Sequence, residues 1–307
     1  MRLLCWNVNK RVRERLRQQL EAIEGLGSDV VALQEITPTN SDPWLVGLAA
    51  LGLTYGVSSL DLVSAARAQK RPSRSGVLLA SRWPMSLLAP WDGVAPFPER
   101  QLSGTIAGPG GSVEVHVVHV PSSGRMRELG LPLAKAETYE AIFARLACPT
   151  AIPRILCGDL NAPLDELPDG TVLPWGPDKR TAAGELLLLE GLGKYGFVDV
   201  FRSLHGYGDR APSWHGLKRG YRLDHLLASS SLRATMCRYV DAWRVGRLSD
   251  HAPVEAIFEL RVASSELRAG LSRNSQLATH NSSGSVRPTM SSRRRALVER
   301  AMPWRMR

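Results

Sequence analysis

At 307 residues the chain is long enough for one large domain or two small ones with a buried core. Its 44% hydrophobic and 22% charged residues suit a soluble globular protein, and no apolar run approaches the roughly 18 residues of a membrane span. The net charge of +10 is unevenly placed: Ser264 to Arg307 carries nine arginines against two glutamates, +7, leaving +3 for the rest, so the basic balance says little about the folding part.

Short apolar, β-rich runs alternate with helical spacing. Leu3 to Val8 reads as a strand. Arg11 to Leu26 places Val12, Leu16, Leu20 and Ile23 on one helical face. Further strands are expected at Asp29 to Leu33, Gly76 to Ser81, Ser112 to Val120, Arg154 to Gly158, Arg222 to Ala228 and Pro253 to Leu260. Leu133 to Leu146 and Thr181 to Glu190 read as amphipathic helices, and Pro90 to Pro98, Ala162 to Pro177 and Gly206 to Gly220 as surface loops. After Val262 the periodicity stops. The Ser- and Arg-rich stretch to Arg307, with its run Arg293-Arg294-Arg295, is expected to be a disordered basic tail; it is either solvated chain or an arm for acidic partners. The domain expectation is therefore 1–262 for the folded part and 263–307 for the tail. Cys5, Cys148, Cys157 and Cys237 lack metal-type spacing, and the opening residues lack an export leader, so a reducing, cytoplasmic setting is expected.

Five motifs carry groups suited to phosphate chemistry. Cys5-Trp6-Asn7-Val8-Asn9 puts amides just past an apolar run, and Val31-Ala32-Leu33-Gln34-Glu35 ends a strand in a carboxylate. In Gly158-Asp159-Leu160-Asn161, a carboxylate and an amide project on the same side of an extended chain, where they can orient water. Arg222-Leu223-Asp224-His225 and Ser249-Asp250-His251-Ala252-Pro253 pair acids with histidines, the usual acid–base couple at neutral pH. Each piece alone reads equally well as turn chemistry; the ordered set is what points to a function.

That set, with His119-Val120-Pro121 and Gly76 to Pro84, resembles the endonuclease/exonuclease/phosphatase superfamily, of deoxyribonuclease-I-like fold, across residues 1 to about 262. The resemblance implies an α/β four-layer sandwich, two mainly antiparallel β-sheets packed face to face with outer helices. It implies hydrolysis of phosphate esters with Mg2+ or Mn2+, a cation held among Asn7, Glu35 and Asp250, and Glu35 as principal ligand. Asp159 and Asn161 would position water and phosphate. His251, oriented by Asp224, would bind phosphate and handle protons, and His119 would lie near the leaving group. Asn9 and Tyr221 would support the site from behind.

Nucleic acid is the expected substrate, with a basic stretch (Arg67, Lys70, Arg71, Arg74) and Arg125 and Arg127 as backbone contacts. The alternatives are a phosphomonoesterase, a lipid-phosphate hydrolase, and a binding module reusing the fold. Repair enzymes of the exonuclease III type carry tyrosine, proline and asparagine where this chain has His119, Pro121 and Ser122, which points away from abasic-site repair.

Overall fold

The computed structural model describes residues 1–63, 75–89, 95–176 and 178–259. The basic stretch Arg67 to Arg74, part of the Pro90 loop and the tail from residue 260 lie outside the described residues.

Two six-stranded sheets form the frame. The first has at its centre β1 (Arg2–Asn7), which lies parallel to β2 (Val30–Ile36) and antiparallel to β16 (Val254–Glu259). Beyond β2 come β4 (Gly76–Ser81) and β3 (Tyr55–Ser58); beyond β16 lies β15 (Arg233–Tyr239). The second sheet runs β11 (Phe197–Asp199), β14 (Asp224–Ser229), β8 (Arg154–Asp159), β7 (Gly111–His119), β6 (Gln101–Gly108) and β5 (Met85–Leu87). Its one parallel pair is β7 with β8. Short ribbons β9 (Asp165–Glu166) with β10 (Val172–Leu173), and β12 (Trp214–His215) with β13 (Gly220–Tyr221), stand outside the sheets.

The central strands are apolar on both faces, so each sheet must be covered twice. Leu3, Cys5, Val30, Leu79 and Phe258 from the first sheet meet Val115, Val117, Ile155, Cys157 and Leu226 from the second in one core. Outside the first sheet, α1 (Arg13–Leu26) and α2 (Ser41–Ala50) set Leu16, Ile23, Trp44 and Leu48 against Leu4, Trp6 and Leu33. Outside the second, α4 (Ala134–Ala147) and α5 (Lys179–Leu189) set Tyr139, Ile142 and Leu188 against Val118, Leu156 and Leu227. Shorter helices are α3 (Ser123–Glu128), α6 (Val200–His205) and α7 (Asp241–Val245). This is the expected four-layer α/β sandwich. Its sheets are antiparallel except for one parallel pair in each. All four cysteines are free.

Candidate active site

Sheet register assembles the site. His119 closes β7, Asp159 closes β8, and Asp224 opens β14, and these three residues are directly paired across neighbouring strands. Close approach of β7 and β8 needs Gly158: a Cβ there would sit 1.8 Å from the carbonyl oxygen of Val118. The segment Ser249–His251 is strapped to β1 from the other sheet. Trp6 Nε1 donates to the His251 carbonyl at 2.9 Å, and Ser249 Oγ donates to the Asn7 carbonyl at 2.6 Å.

The side chains converge on Asp159. Asn7 Nδ2 donates to Asp159 Oδ2 at 3.0 Å, and the Asn161 N–H donates to Oδ1 at 2.9 Å. His119 Nε2 lies 3.7 Å and His251 Nε2 4.0 Å from Asp159 Oδ2. His251 Nδ1 donates to Asp224 Oδ2 at 2.7 Å, which fixes the ring's orientation. The Asp224 main chain is held in turn: Ser213 Oγ accepts its N–H at 3.0 Å and Tyr239 Oη donates to its carbonyl at 2.6 Å. Asn161, in the left-handed region at φ 49°, donates its side-chain amide to the Val120 carbonyl at 2.8 Å.

Charge follows from burial and neighbours. Burial and then the Asp224 charge push the Asp159 carboxyl up to about 7, against His251, the Asn161 N–H and Asn7. For His251 burial works against the cation, but the Asp224 carboxylate outweighs it and carries the imidazole up to about 10. Burial, with Arg100 and His251 nearby, holds His119 well below the usual histidine range.

Glu35 enters by a different device. The β2–β4 register shifts between Gln34 and Ile36, and Glu35 at this bulge takes φ 63°. A bulge re-aims the side chain at the strand end. Its carboxylate lines the same cavity and pairs with Lys10 at 3.6 Å. The cavity, about 670 Å³, also takes in Arg100, Arg125, Lys135, Trp175 and Trp214. Asp250 is exposed, with an oxygen 3.4 Å from Ser249 Oγ, and Asn9 serves the turn by donating its N–H to Asn7 Oδ1 at 3.1 Å. Tyr221 packs between Trp175 and Trp214.

A divalent cation suits these residues. Among the described residues, Asp159, Asp224 and His251 offer ligand atoms within 4.8 Å of one another. Asp224 Oδ1 is buried without a hydrogen-bond donor, and Glu35 already attracts a cationic side chain, Lys10. Oxygen-rich donors of this kind match Mg2+ or Mn2+ better than softer ions.

Sequence reasoning missed Lys10, Arg100, Lys135, Trp175 and Trp214. For Lys135 there was a signal: it stands on the apolar stripe of α4 with Thr138, Tyr139 and Ile142. Lys10 and Trp175 come from loops, Arg100 from the short turn Pro98–Arg100 and Trp214 from the two-residue strand β12, none of which a periodicity reports.

Compared with curated protein sequences, the chain matches none. Among solved structures it is similar to an AP endonuclease from Archaeoglobus fulgidus, at TM-score 0.65 and 22% identity over 84% of this chain and 99% of that one. It is also similar to an endonuclease/exonuclease/phosphatase from Beutenbergia cavernae, at TM-score 0.60 and 20% identity over 85% of this chain and 72% of that one. At such identities these likenesses concern the fold. The family model described as Endonuclease/Exonuclease/phosphatase family matches residues 4–251, from within β1 to the site histidine, and the chain belongs to that family.

Proposed function

We propose that the protein is a Mg2+- or Mn2+-dependent phosphodiesterase acting on nucleic acid, with residues 1–262 as its catalytic domain. The observation that carries the reading is the Asn7–Asp159–His251–Asp224 chain of contacts, whose Asp159 and His251 line a cavity together with Lys10, Arg100, Arg125 and Lys135. A carboxyl poised near neutrality beside a charged histidine can take a proton from water while the histidine neutralises phosphate charge.

In this reading Asp159, aligned by Asn7 and the Asn161 N–H, accepts the proton of the attacking water. His251 stays protonated on Asp224 and binds the phosphate. His119, neutral in the free protein, takes up a proton from solvent as the phosphate's negative charge enters and gives it to the leaving oxygen as the bond from that oxygen to phosphorus breaks. Glu35 and Asn7 would supply oxygen ligands to a divalent ion, with Asp250 at the outer edge; when bound, the ion would supply charge neutralisation at phosphorus. The compact triad is less suited to hold the ion alone, because His251 Nδ1 and Asp224 Oδ2 are already spent on each other. Free cysteines accord with a cytoplasmic setting, and among the described residues no helix is long and apolar enough to cross a membrane.

The test is a substrate panel with purified protein and Mg2+: plasmid, single-stranded DNA, RNA, a phosphomonoester and a phospholipid. Cleavage of nucleic acid, abolished by chelator and restored by Mg2+, is the expected result. Turnover confined to the monoester or the phospholipid would sink the nuclease reading, and no turnover on any member would favour a binding module.

A further inference from the structure

Two charges occupy positions that the helical pattern reserves for apolar side chains. In α4 the buried residues Lys135, Thr138, Tyr139, Ile142 and Leu146 recur at helical spacing, and in α5 Thr181, Glu185, Leu188 and Leu189 do the same. Lys135 and Glu185 pair with each other, their side chains 1% and 0% exposed. A buried ion pair adds little stability over apolar side chains of similar volume. The contacts at its two ends give it a different use.

Lys135 Nζ donates to the main-chain carbonyl of Asn161 at 2.6 Å, beside Asp159. Glu185 accepts the main-chain N–H of Trp175 at 2.5 Å. Trp175 is 40% exposed on the rim of the cavity, edge-on to Tyr221 at 5.0 Å between ring centres. Gly176, the next residue, is seated so closely on α5 that a Cβ there would lie 2.6 Å from the Ala182 nitrogen. One buried pair therefore sets the spacing between the loop that presents Asn161 and an indole at the cavity mouth.

We propose that Trp175 is the specificity-determining residue of the cleft, stacking on a nucleobase adjacent to the scissile phosphate, and that Lys135–Glu185 is the positioning strut that fixes Trp175 relative to Asn161. The inference rests on the nuclease reading and narrows it to substrates that carry a base at this position. An indole face accepts any base, so the contact selects for the presence of a base and tolerates its identity. Because the buried pair holds the Trp175 main chain directly, less of the cost of ordering that residue falls on binding.

Steady-state kinetics on two short single-stranded oligonucleotides decides this, one fully base-bearing and one with base-less spacer residues around the cleavage position. Trp175→Ala is expected to raise KM on the base-bearing strand about tenfold, the size of one lost base–aromatic stack, and to shrink the preference over the spacer strand. Trp175→Phe should retain most of that preference. Glu185→Gln, which keeps an acceptor but removes the charge, should raise KM and lower kcat together; unchanged constants in a folded Glu185→Gln protein would remove the strut. An unaltered KM in Trp175→Ala, or equal change on both strands, would overturn the stacking role even if Glu185→Gln fails to fold. A wild type that leaves both strands intact yet hydrolyses bis(4-nitrophenyl) phosphate would bring down the nuclease reading and this inference with it.

Discussion

Glu35 shows how a backbone irregularity serves one side chain. An unbulged β2 would continue its alternation through Ile36, and Glu35 would not be turned toward Lys10 and the cavity. Replacing it with glutamine keeps the shape and removes the charge. Glu35→Gln should fall below about a tenth of the wild-type rate at saturating Mg2+, more than about 1.4 kcal/mol of barrier, with an unchanged circular dichroism spectrum; a rate above that level would mean another residue is the principal ligand. Asp159→Asn and His251→Ala should each slow turnover at least about a hundredfold. The double variant should lose less than the product, because the adjacent side chains serve one attack step, Asp159 taking the water's proton while His251 holds the phosphate. Fully multiplicative losses would show that they act independently. At His119 and Ser122 the chain departs from the exonuclease III pattern, so kcat/KM on duplexes with and without one abasic analogue should differ by less than about a thousandfold, roughly 4 kcal/mol. A larger preference would make this a repair enzyme. Asn7, His119, Asp159 and His251 were legible in the sequence because each sits at or just beyond an end of a recognisable strand. Trp175, in a loop, and Arg100, in the short turn Pro98–Arg100, were not, since no local pattern marks them as lining the cavity.

At the level of elements, legibility follows burial. The central strands are apolar on both faces and were readable within three residues; Gly76–Ser81 coincides at both ends, while β2 runs on past the expected Leu33 to Ile36. What escaped is polar or evenly apolar. β6, with Gln101, Ser103, Gly104 and Thr105, offers little apolar alternation, and β15 lies at a sheet edge with its charged side chains facing water. α2 carries Pro43 in its first turn and apolar residues all round, which blurs a helical stripe. The stretch Gly206 to Gly220, expected as loop, contains β12. Also unseen was the charged knot behind β14. Glu166 of β9 receives both Arg202 of α6 and Arg222, and Arg222 reaches Asp199 of β11 at 2.8 Å. Its members lie too far apart in sequence for any local pattern to join them.

Burial alone would raise the Glu166 carboxyl, but Arg222 and then Arg202 hold it at about 2, below the ordinary 4.5. A depressed folded-state value means stability that is complete above the unfolded value and lost as pH falls through 4.5 toward 2. The linkage is about 3 kcal/mol in order of magnitude. Urea midpoints measured from pH 6 to pH 2 should therefore fall more steeply for wild type than for Glu166→Gln. Parallel curves would mean the knot contributes nothing to acid stability.

For the whole molecule, most of the net charge belongs to the tail rather than to the sandwich. Removing Ser264 to Arg307 should leave kcat on a short oligonucleotide within about twofold. If the arginines act as an electrostatic arm, truncation should also weaken nucleic-acid affinity and flatten its dependence on salt, because fewer counterions are released on binding. A matching salt slope with and without the tail would reduce it to solvated chain. A large drop in melting temperature would mean that it packs on the catalytic domain.

The central strand β1 is flanked on one side by β16, more than 240 residues away along the chain, and the Ser249–Asn7 bond spans 242 residues. Asn7 and His251 meet at Asp159 only after that pairing has formed. During synthesis, a ribosome that has not yet released β16 displays a chain in which His251 cannot be strapped to β1. Long-range closure of this kind comes late in folding. A chain that stops short of β16 therefore lacks the assembled cluster, and a translation product stalled before that strand is expected to have no hydrolytic competence.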